Sequence, residues 1–226
     1  MNFANQTFNF FEDNAPNEYS NHTFTKCSFN GCNFSSEYDV NKRSKAKNIL
    51  FENCKVTGGN VGPGIIENCV INGLKVGNHF QTFGTVFNEV IFKGKIDQIM
   101  ITPYVDVFDY SSDTQLQFNL ANKNYYERIS WALDISKAEF IDCDIRGIPS
   151  NLIKRDPETQ IIIKRHNFLD DRWKSIDLSE TYFKTSIDFF LEDGYEDAIL
   201  VAPKRSSNFK KLLNGINELR KIGIAE

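Results

Sequence analysis

A period of five residues constrains this chain more than any other feature of it. Every fifth residue from Phe51 reads Phe51, Val56, Val61, Ile66, Ile71, Val76, Gln81, Val86, Ile91, Ile96 and Ile101. Ten of these eleven are large and apolar, where average composition would give roughly four or five. Five is neither the roughly 3.6 of a helix nor the ~2 of a strand. It calls for a chain that turns a corner every five residues. Shorter runs repeat the spacing in other registers: Phe3 and Phe8; Phe24, Phe29 and Phe34; Ile135, Phe140 and Ile145.

A second position follows the first. Two residues before the central apolar residue the chain prefers something small: Cys27, Cys32, Cys54, Gly59, Gly64, Cys69, Gly84, Gly94, Ala138 and Cys143. All five cysteines of the chain sit there. Cys27 and Cys32 could be taken for a metal pair, but the repeat accounts for them as small, weakly polar core fillers.

This small–polar–large apolar–x–x period resembles the pentapeptide-repeat family, over residues 22–36, 49–101 and 135–147. The resemblance implies a mainly β chain. The coil would be a right-handed, quadrilateral β-helix with four pentapeptides per turn and the large residues pointing inward. Residues twenty apart would then stack, in ladders such as Phe51–Ile71–Ile91 and Val56–Val76–Ile96. Neighbouring turns would pair at strand spacing, about 4.8 Å, and the interior would be filled by side chains, too narrow for a ligand.

Breaks in a repeat are where function or strain intrudes. Gln81 is the one polar residue of the long series, with His79 at its small position and Glu89 at another nearby, a candidate polar gap in the coil. A buried unpaired carboxylate costs several kcal/mol, so Glu89 must be paired, neutral or turned to water. Residues 36–48 have no period and carry the basic cluster Lys42, Arg43, Lys45 and Lys47, which reads as a solvated excursion or a contact for a partner. A longer excursion, 102–133, sets aromatic and acidic residues side by side: Tyr104, Asp106, Phe108, Asp109 and Tyr110. Aromatics beside acids suit a protein interface, or they pack on the flank of the coil. Lys42, Arg43 and these five are the candidate partner-binding residues.

The degenerate repeat and its excursions occupy 1–147; after Gly147 an α/β region, 148–226, is expected to cap the coil. Within it, Ile148–Ile153 reads as a stop and a short helical turn. Thr159–Arg165 reads as a strand, Ala198–Ala202 as a buried strand ended by Pro203, and Leu178 and Phe183 as a last ragged repeat. Phe209, Leu212, Leu213, Ile216, Leu219 and Ile222 fall on one face of a final amphipathic helix. Ser206 or Ser207 is expected to cap its start and Gly223 its end.

Net charge is −4 and the isoelectric point about 5.5. That is too mild for a DNA-like acidic surface and lacks the basic stripe of a nucleic-acid binder. No segment looks like a signal peptide or a membrane span, so no membrane or nucleic-acid partner is expected and the expected compartment is the cytoplasm. There is no phosphate loop, no Gly-x-Ser-x-Gly and no His-x-x-x-His pair. Neither catalytic residues, metal nor cofactor are expected. The expected role is a non-enzymatic protein-binding β-helix, in its sharper form an immunity-type protein that neutralises a bacterial toxin. Two alternatives stay open: a DNA mimic of the pentapeptide kind that binds a topoisomerase, and a β-helix enzyme acting on sugars, for which Glu89 would be the residue to replace.

Overall fold

The computed structural model describes residues 1–14, 16–78, 80–105 and 112–226. Short strands run along the first part of the chain: β1 (Asn2–Ala4), β2 (Thr7–Asn9), β3 (Glu18–Ser20), β4 (Thr23–Thr25), β5 (Ser28–Asn30) and β6 (Lys45–Lys47). Next come β7 (Leu50–Thr57), β8 (Ile65–Glu67), β9 (Val70–Val76), β10 (Phe80–Phe83), β11 (Val86–Asn88) and β12 (Val90–Thr102). Helix α1 (Asp113–Tyr126) precedes β13 (Leu133–Ile145) and β14 (Ile153–Lys154). The rest is β15 (Gln160–Lys164), α2 (Phe183–Asp193), β16 (Asp197–Val201) and α3 (Phe209–Lys221).

The molecule is mostly β, with parallel sheets and some helices. One parallel sheet runs β1-β4-β7-β9-β12-β13-β14, with β2, β5 and β10 joined to it; a second runs β11-β8-β6-β3. Parallel neighbours cannot be joined by a hairpin, and each partner here lies some twenty or more residues away in sequence. Phe3 pairs with Phe24, Phe24 with Phe51, Phe51 with Ile71, and Ile71 with Phe92. Successive rings stack: Phe3 on Phe24 at 5.0 Å between centroids and Phe24 on Phe51 at 5.2 Å, each pair tilted by 11°.

The five-residue period is written in the backbone. Asn21, Lys26 and Gly31 have positive φ; so do Asn48, Asn53 and Gly58, then Asn68 and Gly73, then Gly84, Glu89 and Gly94. Each of these left-handed residues stands two positions after a central one, as Asn53 follows Phe51 and Gly73 follows Ile71. The left-handed region is open to Gly and tolerated by Asn, which is why these two residue types dominate the corners. Gly59, at φ 84°, shows how closely the turns approach: a Cβ there would lie 2.0 Å from the Cys32 carbonyl oxygen.

Of the expected ladders, Phe51–Ile71 and Val56–Val76 stand as paired residues. The third rung slips. Ile71 meets Phe92 rather than Ile91, and Ile96 pairs with Leu74 rather than Val76. Burial follows the slip, with Thr82 at 2 % exposure, Phe87 at 1 % and Phe92 at 3 %. One extra residue between Val76 and Thr82 moves the next centres on by one, to Thr82, Phe87 and Phe92, while Ile96 and Ile101 stay buried in the original series. Nor is the interior filled throughout. Phe24, Phe51, Ile71, Phe87 and Phe92 are among the residues lining an apolar cavity of about 250 Å³.

Four of the thiols share one hydrogen-bond geometry. Cys27 donates to the Phe3 carbonyl at 3.6 Å, Cys32 to Phe8 at 3.5 Å, Cys54 to Phe24 at 3.3 Å and Cys69 to Ala46 at 3.6 Å. In each case the acceptor is the central residue of a parallel strand earlier in the chain. Burial raises the Cys54 thiol above its usual range and the Cys69 thiol to about 11, so these are protonated core groups.

After Gly147 the chain builds a second core. The antiparallel pair β15–β16 lies between the two. Ile162, Ile199 and Val201 pack with the parallel strands, while Ile161, Ile163 and Leu200 pack with α2 and α3 through Ile187, Leu212 and Ile216. The alternation follows from the period of two along a strand. The short turn at Ser150–Leu152 and both expected strands are present. The expected repeat at Leu178 and Phe183 is not: Phe183 opens α2 and both side chains belong to the second core. Helix α3 begins after Asn208, whose backbone N–H donates to Ser206 Oγ at 3.2 Å, and ends before Gly223 at φ 72°. Arg205 ties the two cores together. Its backbone N–H donates to the Phe140 carbonyl at 2.9 Å. Its guanidinium reaches the Ile96 carbonyl at 3.0 Å and Asp97 Oδ1 at 2.9 Å.

Candidate functional site

Helix α1 is the largest element the period does not explain, and its two faces are inverted. A helix on a protein flank buries its apolar stripe and exposes its polar one. Here the inward face holds Gln115, Phe118, Asn122 and Tyr126. Leu116 and Leu120, one turn apart, stand outward at 53 % and 61 % exposure.

The inward amides are fully used. Gln115 Oε1 accepts from the Val105 N–H at 2.7 Å, and its Nε2 donates to the Pro103 carbonyl at 3.2 Å and to Asn119 Oδ1 at 2.7 Å. Asn122 Nδ2 donates to the Gly84 carbonyl at 3.2 Å. Tyr125 donates to Glu67 at 2.9 Å, and burial with that hydrogen bond holds the phenol protonated well above its usual range. Ser112 caps the helix by accepting from the Gln115 N–H at 3.2 Å. Ser112-x-x-Gln115 is the one start signal legible in the sequence.

Arg43 is the other half of this contact, which corrects its expected role. It is 8 % exposed. Its Nη2 donates to Asn122 Oδ1 at 2.5 Å and to the Gly84 carbonyl at 3.4 Å, and the guanidinium lies 4.7 Å from the centre of the Phe118 ring. Burial lowers its pKa to about 10, still a cation at neutral pH. A side chain so enclosed braces α1 and is not open at the surface. Of its neighbours, Lys42 is exposed, with Glu37 at 4.0 Å and Asp39 at 3.9 Å. Lys45 and Lys47 belong to strand β6, so the irregular stretch ends sooner than its sequence suggests.

Tyr104 is half-buried. Burial first, and hydrogen bonding to Asp193 second, push its hydroxyl well above the usual range, so it too acts as a brace. Asp106, Phe108, Asp109 and Tyr110 lie outside the described residues, as does His79. Gln81 sits in β10 opposite Met100, and Glu89 occupies an exposed corner at φ 58° with its N–H on the Trp131 carbonyl at 3.2 Å. The polar residue that takes a buried central position here is Thr82. Its hydroxyl is buried without a hydrogen-bond partner among the described residues. The one-residue slip separates Gln81 and Glu89 from the interior positions that an unbroken period would give them.

Among the described residues no group of three metal-ligating side chains forms. No helix among the described residues is long and apolar enough to cross a membrane. No family model, curated protein or solved structure matches the chain.

Proposed function

We propose that this chain is a protein-binding module, and that α1 is the element it presents. The observation that carries the reading is the inversion of α1: amides and a buried arginine fix its inner face, and two leucines at i and i+4 stand free on its outer face. Leucines at that spacing are the anchors by which one helix enters a hydrophobic groove of another protein. Apolar side chains grouped on a surface are the ones that need an explanation.

The scaffold behind the helix is read as a right-handed, four-sided coil of the pentapeptide-repeat kind. Left-handed corners at five-residue spacing and parallel partners some twenty residues apart support that reading. Such a coil is stiff, because each turn is fixed by its neighbours, and a stiff support lowers the entropy cost of presenting a helix.

The sharper form is neutralisation of a bacterial toxin by direct binding. A toxin gene beside this one would support that form, and the test is co-expression with that toxin, comparing the native protein with the double variant Leu116→Asp, Leu120→Asp. The native protein is expected to protect cells and to co-purify with the toxin, and the variant to do neither while keeping its circular dichroism and Tm. Protection that survives the double substitution removes α1 from the account. No protection by either form removes the toxin reading.

A further inference from the structure

The parallel strands surround more space than their side chains fill. Three rows of central residues line the apolar cavity of about 250 Å³. Phe24, Phe51, Ile71 and Phe92 are successive neighbours across the larger parallel sheet. Tyr19, Ala46, Ile66 and Phe87 are successive neighbours across the smaller one. Phe34, Val61 and Thr82, joined by single bridges, make the third row.

The void has its cause in the sequence. From Phe24 to Phe92 is three strand spacings, about 14 Å. Rings stand at both ends of that span, Tyr19, Phe24 and Phe34 at one and Phe87 and Phe92 at the other. Between them Ala46, Val61, Ile66, Ile71 and Thr82 accompany a single ring, Phe51. Ala46 is the sharpest case, an alanine in a row that otherwise carries Tyr, Ile and Phe. Burial agrees. Phe51, Ile66 and Ile71 belong to the core cluster yet are only half-buried, while Phe87 and Phe92 are covered, at 1 % and 3 % exposure. The space is therefore drawn out along the rows and ends on those two rings.

Its chemistry is narrow. No described side chain that lines it is an acid, a lysine or an arginine. A buried charge without a partner is costly, so the space disfavours an ion. An apolar cavity of about 150 Å³ stays dry and takes up benzene; this one is larger and elongated. One polar group is left over. Thr82 is 2 % exposed, and its hydroxyl has no hydrogen-bond partner among the described residues. A buried hydroxyl left so calls for a reason in a native structure, and it can both donate and accept.

We propose that this cavity binds a neutral, unbranched aliphatic molecule with a single hydroxyl or carbonyl, of the medium-chain alcohol or aldehyde kind. Its chain lies along the rows, against Ala46, Ile66 and Ile71, and its polar end meets Thr82. The site is separate from α1, and its failure would leave the reading of α1 untouched.

The test is a methyl NMR titration of the intact chain with 1-octanol. Octane and octanoate serve as the same chain without a hydroxyl and with a charge. 1-Octanol is expected to give saturable shifts at Ala46, Val61, Ile66 and Ile71, and octanoate to bind roughly tenfold more weakly or worse. Thr82→Val keeps the shape and removes the hydroxyl. It should weaken 1-octanol binding about threefold to tenfold and leave octane binding unchanged. Ala46→Leu fills the gap in its row and should abolish binding of both, with circular dichroism unchanged. Five results would overturn the proposal: no saturable shift from 1-octanol, shifts confined to Leu116 and Leu120, octanoate binding as tight as 1-octanol, unchanged 1-octanol affinity in Thr82→Val, or full affinity in a folded Ala46→Leu.

Discussion

At the scale of single residues, backbone conformation accounts for most of the unusual choices. Lys26 and Glu89 hold left-handed corners, at φ 53° and 58°, without the freedom of glycine or the local hydrogen bonding of asparagine. Glu89→Asn is therefore expected to raise stability by about 0.5–1 kcal/mol, read from urea unfolding. A catalytic Glu89 would instead show itself as lost turnover on a sugar substrate. Arg43 is the opposite case, a cation whose hydrogen bonds hold α1. Arg43→Ala leaves Asn122 Oδ1 short of a donor and opens space beside Phe118. The expected cost is about 2–4 kcal/mol, measured the same way. The thiols give a third test. With a pKa near 11, Cys69 is about one part in a thousand thiolate at pH 8. Half-buried Cys32 should therefore alkylate before the four buried cysteines when native protein is followed by mass spectrometry. The cysteine positions were legible because the period predicts a small residue there. Arg43 was not, because four basic residues within six positions look alike until one of them is covered by a helix seventy residues away.

At the scale of elements, strands and helices that follow a period were readable and those that depart from it were not. The spacing of Phe209, Leu212, Ile216 and Leu219 placed α3, and the apolar runs placed β15 and β16. Helix α1 escaped because two of its leucines point outward while amides share the inner face with Phe118 and Tyr126, so no apolar period marks a buried face. That inversion carries its own prediction. Replacing Leu116 and Leu120 with Asp should cost no more than about 1 kcal/mol, the helix-propensity difference, since both side chains stay more than half exposed. Phe24→Ala acts on a stacked element, removing a ring that touches one above and one below. It is expected to cost about 3 kcal/mol, seen as a lowered urea midpoint.

At the scale of the whole molecule, two cores meet through a two-stranded sheet and through Arg205. Asp97 and two backbone carbonyls hold that guanidinium across the junction. Arg205→Ala should cost about 1–2 kcal/mol and loosen α3 before the parallel strands, as hydrogen exchange would register. The mostly β, parallel character was legible because an apolar residue every five positions leaves few other ways to bury phenylalanine. The slip near Gly77 was hidden, because one inserted residue changes neither composition nor the local look of the repeat. It appears only when neighbouring turns are laid side by side. The account stands most directly on that arrangement, and a NOESY spectrum of the labelled protein tests it. The expected result is cross-peaks joining Phe51 to Ile71 and Ile71 to Phe92, with left-handed backbone shifts at Asn48, Asn53, Asn68 and Glu89. Contacts from Ile71 to Ile91 in an unbroken twenty-residue ladder, or extended backbone shifts at those corners, would contradict it.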